Sequence, residues 1–162
     1  MKSARAGVLV LCIGNPDRGD DGFGPAVANA LDGRLPPDAA LATRSGDMLS
    51  LIEDWKGFDA LVCVDAAAQM TGPGTLHRID LAERDLPGGL GAVSSHAFGL
   101  GEAVALARKL GLAPPAIIVY ALEGESFESG ATMSANVAAA VAPVAEQILI
   151  ETARLQETAN HA

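Results

Sequence analysis

Three unbroken apolar runs, Val8-Leu-Val-Leu-Cys-Ile13, Ala60-Leu-Val-Cys-Val64 and Ala116 to Leu122, constrain this chain more than anything else in it. A strand with one wet face alternates apolar and polar residues. A run that is apolar at every position is buried on both faces, the condition of a parallel sheet covered by helices. Between the runs lie segments with helical spacing. Residues 23–31 form the first, with Pro25 acceptable in a first turn and Asp32-Gly33 as a stop. Residues 47–55 predict a short helix with Leu49, Leu51 and Ile52 inward. Residues 96–110 predict another, with Ser94 or Ser95 as N-cap, Arg108 and Lys109 in the last turn and Gly111 beyond. A long Ala-rich helix, capped by Thr132 or Ser134, runs to about Leu155, with Pro143 kinking or splitting it. Weaker strand candidates are 39–43 and 74–79.

Strands alternating with helices give the fold class: α/β, a single domain, with a twisted, mostly parallel β-sheet sandwiched by helices on both faces. A chain of 162 residues suits one such domain, 1–162, with an ordered core from about 8 to 155 and a frayed end. Only 4% of the residues are aromatic, so the core is built from Ala, Val, Leu and Ile. The formal charge of -9 argues against nucleic acid, whose binding rests on Lys and Arg neutralising phosphates. Cys12 and Cys63 sit inside apolar runs and read as small core hydrophobes. Neighbouring strands would bring the two thiols close; a reducing compartment is the simpler assumption. No stretch is long enough to span a bilayer, and the apolar run behind Met1–Gly7 is too short for a signal segment, so a cytoplasmic, membrane-free protein is expected.

Three features carry chemistry, each where α/β sheets place ligands. The first is Gly14-Asn-Pro-Asp-Arg-Gly-Asp-Asp-Gly-Phe-Gly24, straight after the first run. One of Asp20 and Asp21 is explained by helix capping; both together exceed that need. The loop has neither G-x-G-x-x-G nor a Walker lysine, and its acids repel phosphate, so no nucleotide is expected. The second is Asp65, closing a buried strand, where a plain loop anchor is the bland alternative. The third is His96 in Ser94-Ser-His-Ala-Phe-Gly-Leu, at a helix start that favours neutral imidazole, although a lone histidine is more often structural. Two carboxylates and an imidazole suit zinc or nickel, and they equally suit acid–base work. Asn15, Ser45-Gly46-Asp47, Glu123 and Glu125 are secondary candidates on the same rim, with a helix cap and a solvated loop as their plainer readings.

On these motifs, together with Val64-Asp-Ala and Leu122-Glu-Gly-Glu-Ser, the sequence resembles the hydrogenase maturation proteases from about Val8 to Ile150. The resemblance implies an endopeptidase that removes the C-terminal extension of a nickel-loaded NiFe hydrogenase large-subunit precursor. It implies Asp21, Asp65 and His96 as catalytic and metal-binding residues, with the nickel carried by the substrate. Asp20, Asp65 or a metal-bound water would supply the base. Phe23 and Phe98 would narrow the cleft. The alternatives are a nickel-recognition or metal-delivery scaffold that does not cut, and a small-molecule module using the first glycine-rich loop.

Overall fold

Every residue of β1 (Val8–Ile13) and β3 (Ala60–Ala67) is buried, as the unbroken apolar runs require. The structure is a computed structural model and describes residues 7–45, 47, 49–81 and 99–161. With β2 (Ala39–Arg44), β4 (Leu76–Asp80) and β5 (Ala116–Glu123), these strands form one sheet in the order β2-β1-β3-β5-β4. Four strands are parallel and β4 joins β5 antiparallel at one edge. The weaker strand candidates therefore occupy the two edges, where only one side of a strand is covered.

Alternation along the strands sorts the core into two layers. Val8, Val10, Cys12, Val62, Val64, Tyr120 and Leu122 face α1 (Phe23–Leu31) and the last helix, α4 (Ala135–Asn160). Leu9, Leu11, Ile13, Leu61, Cys63, Val119 and Ala121 face α2 (Leu51–Trp55) and α3 (Leu100–Lys109). The cysteines lie on neighbouring strands, but Leu11 pairs with Cys63 and Cys12 with Val64. That one-residue offset sends the two thiols to opposite faces of the sheet. Both are free, and burial pushes the Cys12 thiol up to about 12 and the Cys63 thiol up as well.

Several boundaries move from those the pattern predicts. The 47–55 segment is helical only from Leu51, because Asp47 holds a turn before it, and Leu49 is half-exposed rather than inward. α3 starts at Leu100 with Gly99 at its N-cap position; Ser94, Ser95, His96 and Phe98 lie outside the described residues. α4 runs past Leu155 to Asn160 and carries Pro143 without being split. Phe23 is wholly buried in the α1 layer and so does not narrow a cleft. Among the described residues no helix is long and apolar enough to cross a membrane.

α4 is anchored by a buried acid. Glu151 accepts hydrogen bonds from Arg78 Nε (2.6 Å) and the Tyr120 hydroxyl (2.9 Å) on one oxygen, and from Arg154 on the other. Desolvation works against that charge, but Arg78, Arg154 and Tyr120 outweigh it and hold the carboxyl below its ordinary range. In the first turn of α1, Gly24 lies against β1 so closely that an added Cβ would stand 2.2 Å from the Ile13 carbonyl oxygen and 2.8 Å from its nitrogen. Neither backbone atom can move without breaking the sheet. Gly24→Ala is therefore expected to lower the unfolding free energy by about 3 kcal/mol, read from the urea midpoint.

Candidate active site

The four parallel strands end on one edge of the sheet, and antiparallel β4 begins there, since Leu76 pairs with Leu122. The connections after β1, β2, β3 and β5 consequently gather on that edge. Because β5 lies between β3 and β4, the segment 68–75 that joins them must pass over the end of β5.

The loop after β1 folds back on itself. Gly14 has φ +150°, and a Cβ there would meet the Asp21 carbonyl oxygen at 1.9 Å. Gly19, at φ +58°, similarly abuts the Ser126 carbonyl. This return places Asp20 and Asp21, both buried, in a short 3-10 turn, Gly19–Gly22, packed against β3. Asp21 Oδ2 accepts the Asn15 amide at 2.9 Å. Neither acid caps α1, whose N-cap position is Gly22.

Asp20 caps a distant element instead. Its oxygens accept the amides of Glu125 (2.7 Å), Ser126 (3.1 Å) and Ser134 (2.7 Å), and the Ser134 hydroxyl as well. Desolvation opposes the charge, but these bonds outweigh it and hold the carboxyl below its usual range. Asp20 thus ties the loop after β1 to the loop after β5 and to the start of α4.

Asp65 is placed differently. It lies inside β3, two residues before the strand ends, rather than at its close, and strand alternation points it to the α2/α3 face. Its Oδ1 accepts the Ala66 amide at 2.8 Å. Burial, reinforced by the charge of Asp21, pushes its carboxyl well above the ordinary aspartate range, and the Ala66 amide only partly opposes this. The structure thus brings Asp21 and Asp65 close enough to act on each other. The third expected site residue, His96, lies outside the described residues; the chain is described again from Gly99, and Leu100 joins the cluster that holds Ala67 and Ala121. Among the described residues no group of three or more His, Cys, Asp and Glu side chains is placed to hold a metal.

Glu123 is more than a solvated loop residue. It ends β5, is fully buried, and its Oε1 accepts three consecutive amides, Met70 (2.5 Å), Thr71 (2.6 Å) and Gly72 (3.0 Å), while Oε2 lies 2.7 Å from His77 Nε2. Desolvation pushes its pKa up, but His77 and the three amides bring it down to about 2. The signal for Glu123 in the sequence is the one that exposed Asp65, a lone acid directly after an apolar run. His77 had no such signal. Among the secondary candidates, Asn15 braces Asp21, Asp47 holds the turn at Leu49 (3.1 Å), and Glu125 contributes an amide to Asp20.

Comparison with known proteins settles the family. The HycI hydrogenase maturation protease family model matches residues 43–151. The chain belongs to the hydrogenase maturation protease family. This protease is 28% identical to the hydrogenase expression/formation protein HupD of Thiocapsa roseopersicina over 147 residues, covering 88% of this chain and 66% of HupD. It is 27% identical to the hydrogenase 2 maturation protease of Escherichia coli K12, covering 88% of each. The solved structure of the maturating endopeptidase HybD from E. coli shares the fold with a TM-score of 0.73 at 24% identity, covering 94% of this chain and 93% of that one. Membership makes the chain a hydrolase of endopeptidase type that serves hydrogenase maturation, and it sets aside the delivery-scaffold reading.

Two of the buried acids of the protease, Glu123 and Asp65, have opposite linkage to pH. Glu123 has a depressed folded pKa, so its contribution is complete above its ordinary value of 4.5 and is lost as pH falls toward about 2. Asp65 has a raised one, so its contribution is complete below 3.8 and is lost as pH rises through the folded value. Glu123→Gln is expected to lower stability by about 2 kcal/mol at pH 7, the gap closing below pH 4.5. Asp65→Asn is expected to raise the melting temperature at pH 7, the gain vanishing below pH 3.8. Calorimetry across that pH range checks both signs.

Proposed function

We propose that this protease removes the C-terminal extension of a NiFe hydrogenase large-subunit precursor, and does so once nickel has been inserted. The observation that carries the reading is the Asp21–Asp65 pair. Two carboxylates, both buried and close enough to raise the pKa of one, lie on the strand-end edge of the sheet. Such a pair is relieved by a cation between them. Two carboxylates with the imidazole of His96 form a donor set suited to nickel. The metal arrives with the precursor and marks it as ready.

The chain's own residues divide the work. Asp21, its Oδ2 braced by the Asn15 amide, holds the charge of the precursor's metal. His96 supplies the nitrogen donor. Asp65 keeps Oδ1 on the Ala66 amide and, with its raised pKa, is suited to hold and pass on the proton of an attacking water. Asp20 is not the base, because each of its oxygens is already committed to amides and the Ser134 hydroxyl. Nickel so held polarises a neighbouring carbonyl and acidifies bound water. Hydrolysis is therefore carboxylate-driven and metal-assisted.

The test is the C-terminal mass of the precursor after incubation with the protease, in nickel-loaded and nickel-free form. The tail is expected to leave only the nickel-loaded precursor. Asp21→Asn, Asp65→Asn and His96→Ala, each checked as folded by circular dichroism, are expected to slow the cut by at least about 100-fold. Normal rates in the two aspartate variants, or equal cleavage with and without nickel, would sink the proposal.

A further inference from the structure

The geometry points to Asp20 as the positioning residue that sets the distance between Asp21 and Asp65. This inference rests on the function proposed above, which is what gives the spacing of the two acids its importance. Asp20 acts through Asp21, the next residue in the chain.

The turn that carries Asp21 is held from outside. Gly19–Gly22 is a four-residue 3-10 turn, and Arg18 at its N-cap position gives it no side-chain cap. Hydrogen bonds in such turns have poor geometry, so one turn alone is weak. The segment after β5 supplies the support. Gly19 N donates to the Ala131 carbonyl (3.1 Å), Gly130 N to the Asp17 carbonyl (2.7 Å) and Arg18 Nε to the Phe127 carbonyl (3.2 Å). At Asp20 the link is reciprocal. Its amide donates to the Ser126 carbonyl at 2.8 Å, while its Oδ2 accepts the Glu125 and Ser126 amides.

That segment is tied in turn to the strand that holds Asp65. Gly124 N donates at 2.8 Å to the carbonyl of Ala67, two residues after Asp65 in β3. Gly124 also packs on Asp20, so closely that an added Cβ would stand 2.7 Å from the Asp20 Cβ and 2.9 Å from Phe127 Cζ. The path runs from Asp65 along β3 to Ala67, across to Gly124, on to Glu125 and Ser126, into Asp20 and so to Asp21. Every step is a covalent link or a hydrogen bond of 3.1 Å or less.

Anchoring of α4 does not account for this arrangement. The Ser134 amide and hydroxyl on Asp20 serve that helix. The Glu125 and Ser126 amides do nothing for it; they fix the loop after β1 against the loop after β5. Two acids that share one cation and one scissile bond need that fixing, because a misplacement of about 1 Å can cost on the order of 100-fold in rate.

Two substitutions disturb the link in different ways. Asp20→Ala removes it, and Gly124→Ala pushes on Asp20 while leaving its carboxylate in place. Both are expected to lower kcat/KM for nickel-loaded precursor about 10- to 100-fold. Both are expected to shrink the preference for binding nickel-loaded over nickel-free precursor, with the affinity for the nickel-free form unchanged. Glu151→Gln loosens α4 away from this edge; it is expected to lower the melting temperature and to leave kcat/KM and the preference as in the parent. Hydrogen exchange reads the positioning directly. The Asn15 amide, which bonds Asp21 Oδ2, is expected to exchange about 10-fold faster in Asp20→Ala and Gly124→Ala, and at the parent rate in Glu151→Gln. Parent kcat/KM or parent exchange at Asn15 in the two variants, or the same losses in Glu151→Gln, would overturn the inference. Should Asp20→Ala not fold, Gly124→Ala decides alone. If the unaltered protein does not cut the precursor, the proposed function fails, and exchange at Asn15 decides separately: faster exchange keeps the positioning role, and the parent rate overturns it.

Discussion

Asp20 accepts hydrogen bonds from Glu125, Ser126 and Ser134 at once, and the arrangement of loops on the strand-end edge of the sheet depends on it. The loops after β1 and β5 have no regular structure to hold them, and the helix that follows the second begins with unsatisfied amides. One buried carboxylate joins all three. Glu123 does the same for the segment that crosses from β3 to β4. Each charge is affordable because its oxygens are filled with donors, and the depressed pKa of each records that fit.

Asp65 is the contrast that gives this edge its direction. It is buried as well, and the Ala66 amide only partly offsets that burial, to which the charge of Asp21 adds. Asp20 and Glu123, filled with donors, hold the rim together, while Asp65 is the buried acid whose pKa is raised. The same residue type is held ionised or pushed toward its neutral form according to its burial and the donors and charges around it, which composition does not reveal.

Much of this was legible in the sequence. Unbroken apolar runs gave the parallel sheet, and β1 and α1 fall on the predicted residues because a glycine-rich loop and Asp32-Gly33 bound them sharply. The edge strands and the starts of α2 and α3 were less legible, since half-covered strands and short helices carry weak periodicity. Asp65 stands out in the sequence as an acid directly after an apolar run, and Asp21 as one of two adjacent acids in a glycine-rich loop, more than a helix cap needs. The distinct fate of Asp20 was hidden, for it depends on residues more than a hundred positions away that only the fold brings near. Glu123 and His77 were obscured likewise, as their meaning comes from the crossing of one strand by another connection.

The one-residue offset between Cys12 and Cys63 has a further consequence. Each thiol is sealed by a different helical layer, Cys12 under α1 and α4, Cys63 under α2 and α3. Neither can reach the other through the sheet, so oxidation cannot lock the fold by joining them. A thiol reagent reaches Cys12 only when the first layer lifts and Cys63 only when the second does. The molecule thus carries two separate reporters of its own breathing, one for the layer over Glu151 and one for the layer toward which Asp65 points.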